Sequence, residues 1–153
     1  MKARSFGQSG IRCLWLMLVV TLVPQALSLG QQSSSYQSNN SAKASISITG
    51  VPHAGPGGDE PIEAISGVVR KVDFAAHKVV VYAYAGGTWW VQPTAANPLT
   101  DIDRTGKWET DTHLGSTYAA LLVRQSFKPS ATIGTLPNVQ GDIVAIVKVA
   151  GVK

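Results

Sequence analysis

The chain has almost no cysteine, because its one copy, Cys13, lies near the N-terminus. A chain with one cysteine forms no internal disulfide, so its hydrophobic core must stabilise the fold alone. Cysteine-based zinc motifs, phosphate-binding loops and the Rossmann fingerprint are missing as well. These absences argue against a disulfide scaffold, a cysteine metal centre and a nucleotide-dependent enzyme. We therefore expect no cofactor.

Charged residues are also scarce, at 14% of the chain. Three of the thirteen Lys and Arg residues lie within the first 28 positions, which leaves ten to balance nine acidic residues. The basic isoelectric point thus belongs mostly to the N-terminal segment. The remainder is nearly neutral and gives no electrostatic reason to bind nucleic acid or an anionic membrane.

Residues 1–28 have the order of a secretory signal peptide. Basic residues precede the apolar run 13–23, and Ala26 and Ser28 are small enough for cleavage after Ser28. The run is short for a membrane span, which needs about 20 apolar residues, and an uncleaved signal anchor is the alternative. We expect a secreted protein without stable membrane insertion after cleavage. The polar composition of residues 29–45 predicts a disordered linker.

Helical periodicity is missing from residues 46–153, where short β-compatible runs alternate with Gly and Pro turns. The predicted strands cover residues 45–49, 65–72, 78–85, 88–92, 99–103, 107–112, 118–124 and 142–149. We expect residues 99–103 to pair with 107–112, and residues 132–138 to form a loop. Seven or eight strands with these turns predict an all-β fold, a single antiparallel β-sandwich of immunoglobulin-like shape.

A set of short motifs occurs in one order along this predicted domain. The motifs are Ile48-Thr-Gly-Val-Pro52, Ile65-Ser-Gly-Val-Val69, Val79-Val-Val-Tyr82, Trp89-Trp90 with Pro93, Pro98-Leu-Thr100, Thr105-Gly-Lys-Trp108, residues 110–115, residues 119–123 and Leu136-Pro137. Together they resemble a small β-sandwich accessory domain of secreted bacterial proteins, which often accompanies glycoside hydrolases. The resemblance covers residues 46–150. It implies an association with carbohydrate and no established catalytic residues.

The stretch 78–93 contains two β-compatible runs around Gly86-Gly87, a pair that suits the tight turn of a β-hairpin. A two-residue turn there places Tyr84 opposite Trp89 and Ala83 opposite Trp90. Because neighbouring strand residues point to opposite faces, one of the two tryptophans must point into the core and the other away from it. We expect this hairpin to anchor the fold.

The two faces of the hairpin predict different roles. Trp90 shares one face with valines, which makes it a core candidate together with Trp108 on a later strand. The tyrosines and Trp89 share the other face, where we expect partial exposure. Flat aromatic faces stack on the C–H faces of sugar rings. The candidate ligand-binding residues are Tyr82, Tyr84, Trp89 and Gln92. The alternative is that a loop or the opposite sheet covers these aromatic residues.

Two acidic clusters are candidate metal sites. The first is Asp101, Asp103 and Gly106, and the second is Glu109, Asp111 and His113. The first has the start of a calcium loop, but threonine replaces the carboxylate or amide that such a loop needs at positions 105 and 112. The second alternates along one strand face, which a solvated surface explains more simply than zinc. We expect no metal at either place.

No serine, histidine or carboxylate pair has the surroundings of a catalytic group. We therefore predict a secreted, non-enzymatic recognition module that binds a polysaccharide or another extracellular ligand through an aromatic strand face. The alternative is a structural or protein-interaction β-sandwich whose aromatic residues belong to the core. The sequence leaves the oligomeric state open.

Overall fold

Eight β-strands and one short 3-10 helix make up the part of the chain that the structure describes. The computed structural model describes residues 43–59 and 61–153, which belong to one compact unit, Asn39–Lys153. The strands are β1 (Ser45–Gly50), β2 (Ile62–Arg70), β3 (His77–Ala85), β4 (Thr88–Gln92), β5 (Lys107–His113), β6 (Thr117–Arg124), β7 (Thr132–Ile133) and β8 (Ile143–Ala150), and the 3-10 helix is Phe74–Ala76. The predicted signal peptide and residues 29–42 of the predicted linker lie outside the described residues. Within those residues, no helix is long and apolar enough to span a membrane.

The strands form two antiparallel sheets of unequal width. The smaller sheet has the order β1-β2-β5 and the larger one β7-β4-β3-β6-β8. The predicted all-β, antiparallel β-sandwich is confirmed. An immunoglobulin domain likewise separates strands A, B and E from strands C, F and G, and adds C′ beside C in variable domains. In this chain β1, β2 and β5 take the places of A, B and E, and β3, β4, β6 and β8 take those of C, C′, F and G. Strand β7 is an additional short edge strand beside β4.

Two apolar cores lie on the two faces of the larger sheet. The inner core, between the sheets, contains Ile46, Ile65, Val69, Val79, Val81, Ala83, Trp108, Tyr118, Ala120 and Leu122. The outer core contains Val80, Tyr82, Trp89, Val91, Ala119, Leu121, Val123 and Ile143. Strands β3 and β6 supply both cores. Their sequences are nearly continuous apolar runs because a strand covered on both faces has no solvated side.

The central hairpin forms with the predicted register. Tyr84 pairs with Trp89 and Ala83 with Trp90. Gly86 and Gly87 have φ values of 58° and 81°, and positive φ at both turn positions is what a type I′ hairpin turn requires.

Two local predictions are wrong. Residues 99–103 form no strand, and β5 pairs with β2 instead. The Asp103 carboxylate accepts hydrogen bonds from the backbone N–H groups of Thr105 and Lys107, at 2.7 and 2.9 Å. That side chain closes a turn before β5. The segment ahead of the turn bonds to the larger sheet instead, because Thr100 and Val79 of β3 exchange both backbone hydrogen bonds. The predicted loop 132–138 also contains a short strand, β7, which pairs with Trp89 and Trp90.

A tyrosine near the start of β6 holds the loop after β1. The Tyr118 hydroxyl donates to the carbonyl of His53 at 2.6 Å and accepts from the backbone N–H of Gly115 at 3.0 Å. This resembles the tyrosine corner of immunoglobulin domains, where a tyrosine hydroxyl bonds to backbone a few residues upstream. His53 also bridges to Val152, so the loop after β1 holds the C-terminus.

The same loop is fixed by a carboxylate on β2. Glu63 accepts a hydrogen bond from the backbone N–H of His53 at 2.9 Å, and its Oε1 lies 3.0 Å from the imidazole Nδ1 of His53. The backbone hydrogen bond is the main reason that the pKa of Glu63 is lowered from its ordinary value of 4.5. The carboxylate therefore binds this loop in its ionised form.

We expect Glu63→Gln to lower the melting temperature at neutral pH and to lose that effect in acid. A lowered pKa in the folded state means that the stabilisation is complete above the ordinary pKa of about 4.5 and disappears as the pH falls through the lowered value. When both proteins are melted at a series of pH values from neutral to strongly acidic, their melting temperatures should become equal below the lowered pKa of Glu63. A difference that stays constant with pH would assign the effect to side-chain shape instead of ionisation.

Candidate functional site

The aromatic face predicted to bind ligand is covered. Tyr82 is 2% exposed and Trp89 is 7% exposed. The connection between β6 and β8 crosses this face of the larger sheet and packs Phe127, Ile133 and Leu136 against it. The expectation of an open stacking surface is therefore wrong. Three apolar side chains in the connection remove these aromatic residues from water, which is the alternative that the sequence left open.

The polar atoms on this face are also occupied within the fold. The Tyr82 hydroxyl donates to the carbonyl of Ser130 at 3.0 Å, and burial raises the pKa of this phenol above its ordinary value of 10.0. Tyr84 is only partly buried, and its ring centroid lies 5.0 Å from that of Trp89. A tilted aromatic pair at this separation stabilises the packing.

Gln92, the fourth candidate, lies on the other face and serves the fold. It is 2% exposed. Its Oε1 accepts from the backbone N–H and the imidazole Nδ1 of His113, at 2.9 and 3.0 Å, and its Nε2 donates to the carbonyl of Trp90 at 3.2 Å. The amide joins the edge of the smaller sheet to the larger sheet. A buried amide with both ends bonded is not free for a ligand.

Trp90 is the exposed aromatic residue of the hairpin, contrary to the prediction that it belongs to the core. Its side chain is 51% exposed, whereas Trp108 is 3% exposed and lies in the inner core. The reason is the unequal width of the two sheets. Strand β1 lies against β6 and β8, and β5 lies against β3 and β4. The smaller sheet ends there, so part of the inner face of β4 has no strand above it.

Trp90 forms one wall of a cleft of about 390 Å³. The floor and walls are mostly apolar, with a few polar groups at the rim, as is usual for small-molecule sites. The lining residues are Gly57, Gly58, Asp59, Ala83, Ala85, Trp90, Val91, Gln92, Pro93, Thr94, His113 and Leu114. Strands β3 and β4 supply the floor, the end of β5 supplies one side, and the loop after β1 supplies the other.

The indole of Trp90 is held in place within this cleft. Its Nε1 donates to the carbonyl of Ala85 at 3.2 Å, so the ring is tied back to the neighbouring strand of the hairpin. The small side chains of Ala83 and Ala85 on that strand leave room beside the ring. An aromatic platform that is fixed before binding loses little entropy when a ligand stacks on it.

His113 is oriented by the buried amide. The backbone N–H of His113 donates to Oε1 of Gln92, which makes that atom an acceptor and requires the nearby Nδ1 to carry a proton. In the neutral imidazole, Nε2 is then the nitrogen with a free lone pair. His113 lines the cleft, so it adds a fixed polar group to an otherwise apolar site.

The first candidate metal cluster has a structural role, whereas Glu109 and Asp111 of the second are exposed on β5. The Asp103 side chain caps the turn before β5, and hydrogen bonds from Thr105 and Lys107 lower the pKa of its carboxyl. Asp101 forms an ion pair with Lys78. Among the described residues, no group of three or more His, Cys, Asp or Glu side chains is placed to hold a metal ion.

The described residues form an all-β sandwich in which Trp90 is the one exposed tryptophan, on the inner face of β4. No protein-family model, curated protein or solved structure matches this chain. The resemblance to an accessory domain of secreted bacterial proteins therefore stays a prediction from the sequence.

Proposed function

We propose that the protein is a secreted, non-enzymatic recognition module that binds carbohydrate in the cleft beside Trp90. The observation that carries this proposal is the half-exposed, hydrogen-bonded indole of Trp90 in a cleft of about 390 Å³. This is the same kind of site that the sequence suggested, but it lies on the opposite face of the hairpin and uses the other tryptophan.

The chemistry of the lining favours a sugar ring over other small ligands. A pyranose presents apolar C–H groups on its faces and hydroxyl groups around its edge. The ring of Trp90 can stack on the apolar C–H face of the sugar. The rim residues His113, Thr94 and Asp59 offer acceptors and donors to the sugar hydroxyl groups. The near balance of acidic and basic residues in the domain provides no broad attraction for a polyanion.

Trp90→Ala should leave the fold intact and weaken glycan binding by at least tenfold, or about 1.4 kcal/mol. Trp90→Tyr should keep part of the affinity, because a smaller aromatic platform remains. The matched control is Val139→Ala, which removes an exposed apolar side chain that does not line the cleft. The measurement is a glycan array with purified residues 39–153, followed by binding to the insoluble polysaccharides that are positive.

Two results would contradict the proposal in different ways. If the wild type binds glycans and folded Trp90→Ala binds them equally well, the site is elsewhere. If the wild type binds no glycan, the alternative function gains support, namely a structural or protein-interaction domain. The burial of Tyr82 and Trp89 already favours that alternative for the outer face, where the aromatic residues serve the core.

A further inference from the structure

The polar side chains around the cleft beside Trp90 offer mainly hydrogen-bond acceptors. Asp59 brings a carboxylate to the rim, and an ionised carboxylate only accepts hydrogen bonds. The indole N–H of Trp90 already donates to the carbonyl of Ala85. Thr94 adds one hydroxyl, which accepts from the backbone N–H of Asn97 and can still donate its own proton. Among the described residues that line the cleft, none is a lysine or an arginine, so an anionic ligand would meet a like charge and no cationic side chain.

The buried amide of Gln92 has only one orientation that satisfies its neighbours. Its Nε2 lies 3.2 Å from the carbonyl oxygen of Trp90, which can only accept. Its Oε1 lies 2.9 Å from the backbone nitrogen of His113, whose N–H can only donate. Turning the amide over would set oxygen against oxygen and N–H against N–H, in a side chain that is 2% exposed. The amide oxygen therefore faces His113.

The same oxygen sets the tautomer of His113. Nδ1 of the imidazole lies 3.0 Å from it, so Nδ1 carries the proton and Nε2 of the neutral ring keeps a free lone pair. His113 is partly buried at the end of β5 and lines the cleft. A sugar hydroxyl that reaches Nε2 must donate its proton. A carboxylate or sulfate at the same place would set lone pair against lone pair.

We propose that the cleft selects uncharged glycans, through a hydroxyl group that donates to Nε2 of His113 while the sugar ring stacks on Trp90. This inference rests on the proposed carbohydrate site and names the class of carbohydrate that the site takes. Glycans built from uronic acids or carrying sulfate are disfavoured twice, by the lone pair of His113 and by the charge of Asp59. The specificity therefore comes from repulsion of anionic glycans as well as from attraction of neutral ones.

Three pairs of small glycosides test this preference directly. Each pair is a methyl glycoside of glucose, galactose or mannose and the matching uronic acid, in which a carboxylate replaces the hydroxymethyl group. An NMR titration of the purified protein at about pH 8, where histidine is ordinarily neutral, follows the indole N–H signal of Trp90. In every pair that binds, we expect the neutral sugar to bind about tenfold or more tightly than its uronate.

The two ways in which this titration can fail are distinct. Equal affinities within a pair, or tighter binding of the uronate, would overturn the proposed preference and leave the carbohydrate site in place. A Trp90 signal that none of the six sugars shifts would contradict the proposed function itself.

His113→Lys should reverse the preference, because it replaces the acceptor by a cationic donor while the backbone hydrogen bond to Gln92 remains. The matched control is Asp111→Asn, which changes the net charge by the same amount on the same strand. Asp111 is exposed and does not line the cleft, so this variant should keep the preference of the wild type. A folded His113→Lys that still prefers neutral sugars, or a reversal in Asp111→Asn as well, would remove His113 from the role proposed here.

The tautomer of His113 gives a readout that needs no ligand. The nitrogen chemical shifts of its imidazole ring at about pH 8 should show a protonated Nδ1 and an unprotonated Nε2. A proton on Nε2 instead would make that atom a donor and overturn the proposal, whatever the protein binds.

Discussion

Trp89→Ala should destabilise the domain by about 3–5 kcal/mol, as expected when a large buried aromatic side chain is removed and a cavity remains. Trp89 is 7% exposed, lies in the outer core and packs against Tyr84. Trp90→Ala should cost less than about 1.5 kcal/mol, because a half-exposed ring loses little buried area and one exposed hydrogen bond. The measurement is urea denaturation of both variants and the wild type, with the midpoints compared at constant m-value.

The comparison is informative because the two tryptophans are adjacent and chemically identical. Any difference in their effects must come from the surroundings that each side chain meets. A domain of typical stability, about 5–15 kcal/mol, loses a large part of it in the first variant and a much smaller part in the second. If Trp90→Ala is the more destabilising change, a part of the protein must cover the inner face of β4, and the cleft beside Trp90 is closed.

The local pairing of the hairpin could be predicted from the sequence, whereas the exposure of its faces could not. Gly86-Gly87 and the alternation of strand residues fix which side chains share a face. They do not say which face is solvated. That depends on the connection from β6 to β8, whose apolar residues Phe127, Ile133 and Leu136 cover the outer face. Three large apolar residues between the predicted strands 118–124 and 142–149 were the available signal.

The exposure of Trp90 depends on a long-range feature. The inner face of β4 is open because the smaller sheet has three strands and the larger has five. The smaller sheet ends at β5 because residues 99–103 add no strand to it; Thr100 bonds to Val79 of β3 instead, a residue far from β5 in the chain. The sequence suggested a local pairing of residues 99–103 with 107–112 instead, since local turn signals are visible and distant strand partners are not. The polar rim of the cleft was missed for the same reason.

Gly67 imposes a packing constraint that the alternation of strand residues does not reveal. It lies on β2 between Ile48 of β1 and Trp108 of β5. A β-carbon at this position would lie 1.9 Å from the carbonyl oxygen of Ser47 and 2.6 Å from Cζ2 of Trp108. Glycine in a strand often marks such a close approach. In this fold the missing side chain lets the large indole of Trp108 occupy the inner core.

Gly67→Ala should therefore destabilise the domain by about 3 kcal/mol or more, at the upper end of what overpacking costs. The nearest atom belongs to the backbone of β1, so the methyl group can be accommodated only if the pairing of β1 with β2 opens or Trp108 leaves its position. The matched control is Gly134→Ala, which has no atom within 4 Å of the added carbon and should change stability by at most about 1 kcal/mol. Denaturant midpoints compare the two variants, and tryptophan fluorescence reports whether Trp108 has moved. Equal stability of the two variants would mean that β1 and Trp108 yield easily, and the tight contact around Gly67 would not be what holds the smaller sheet together.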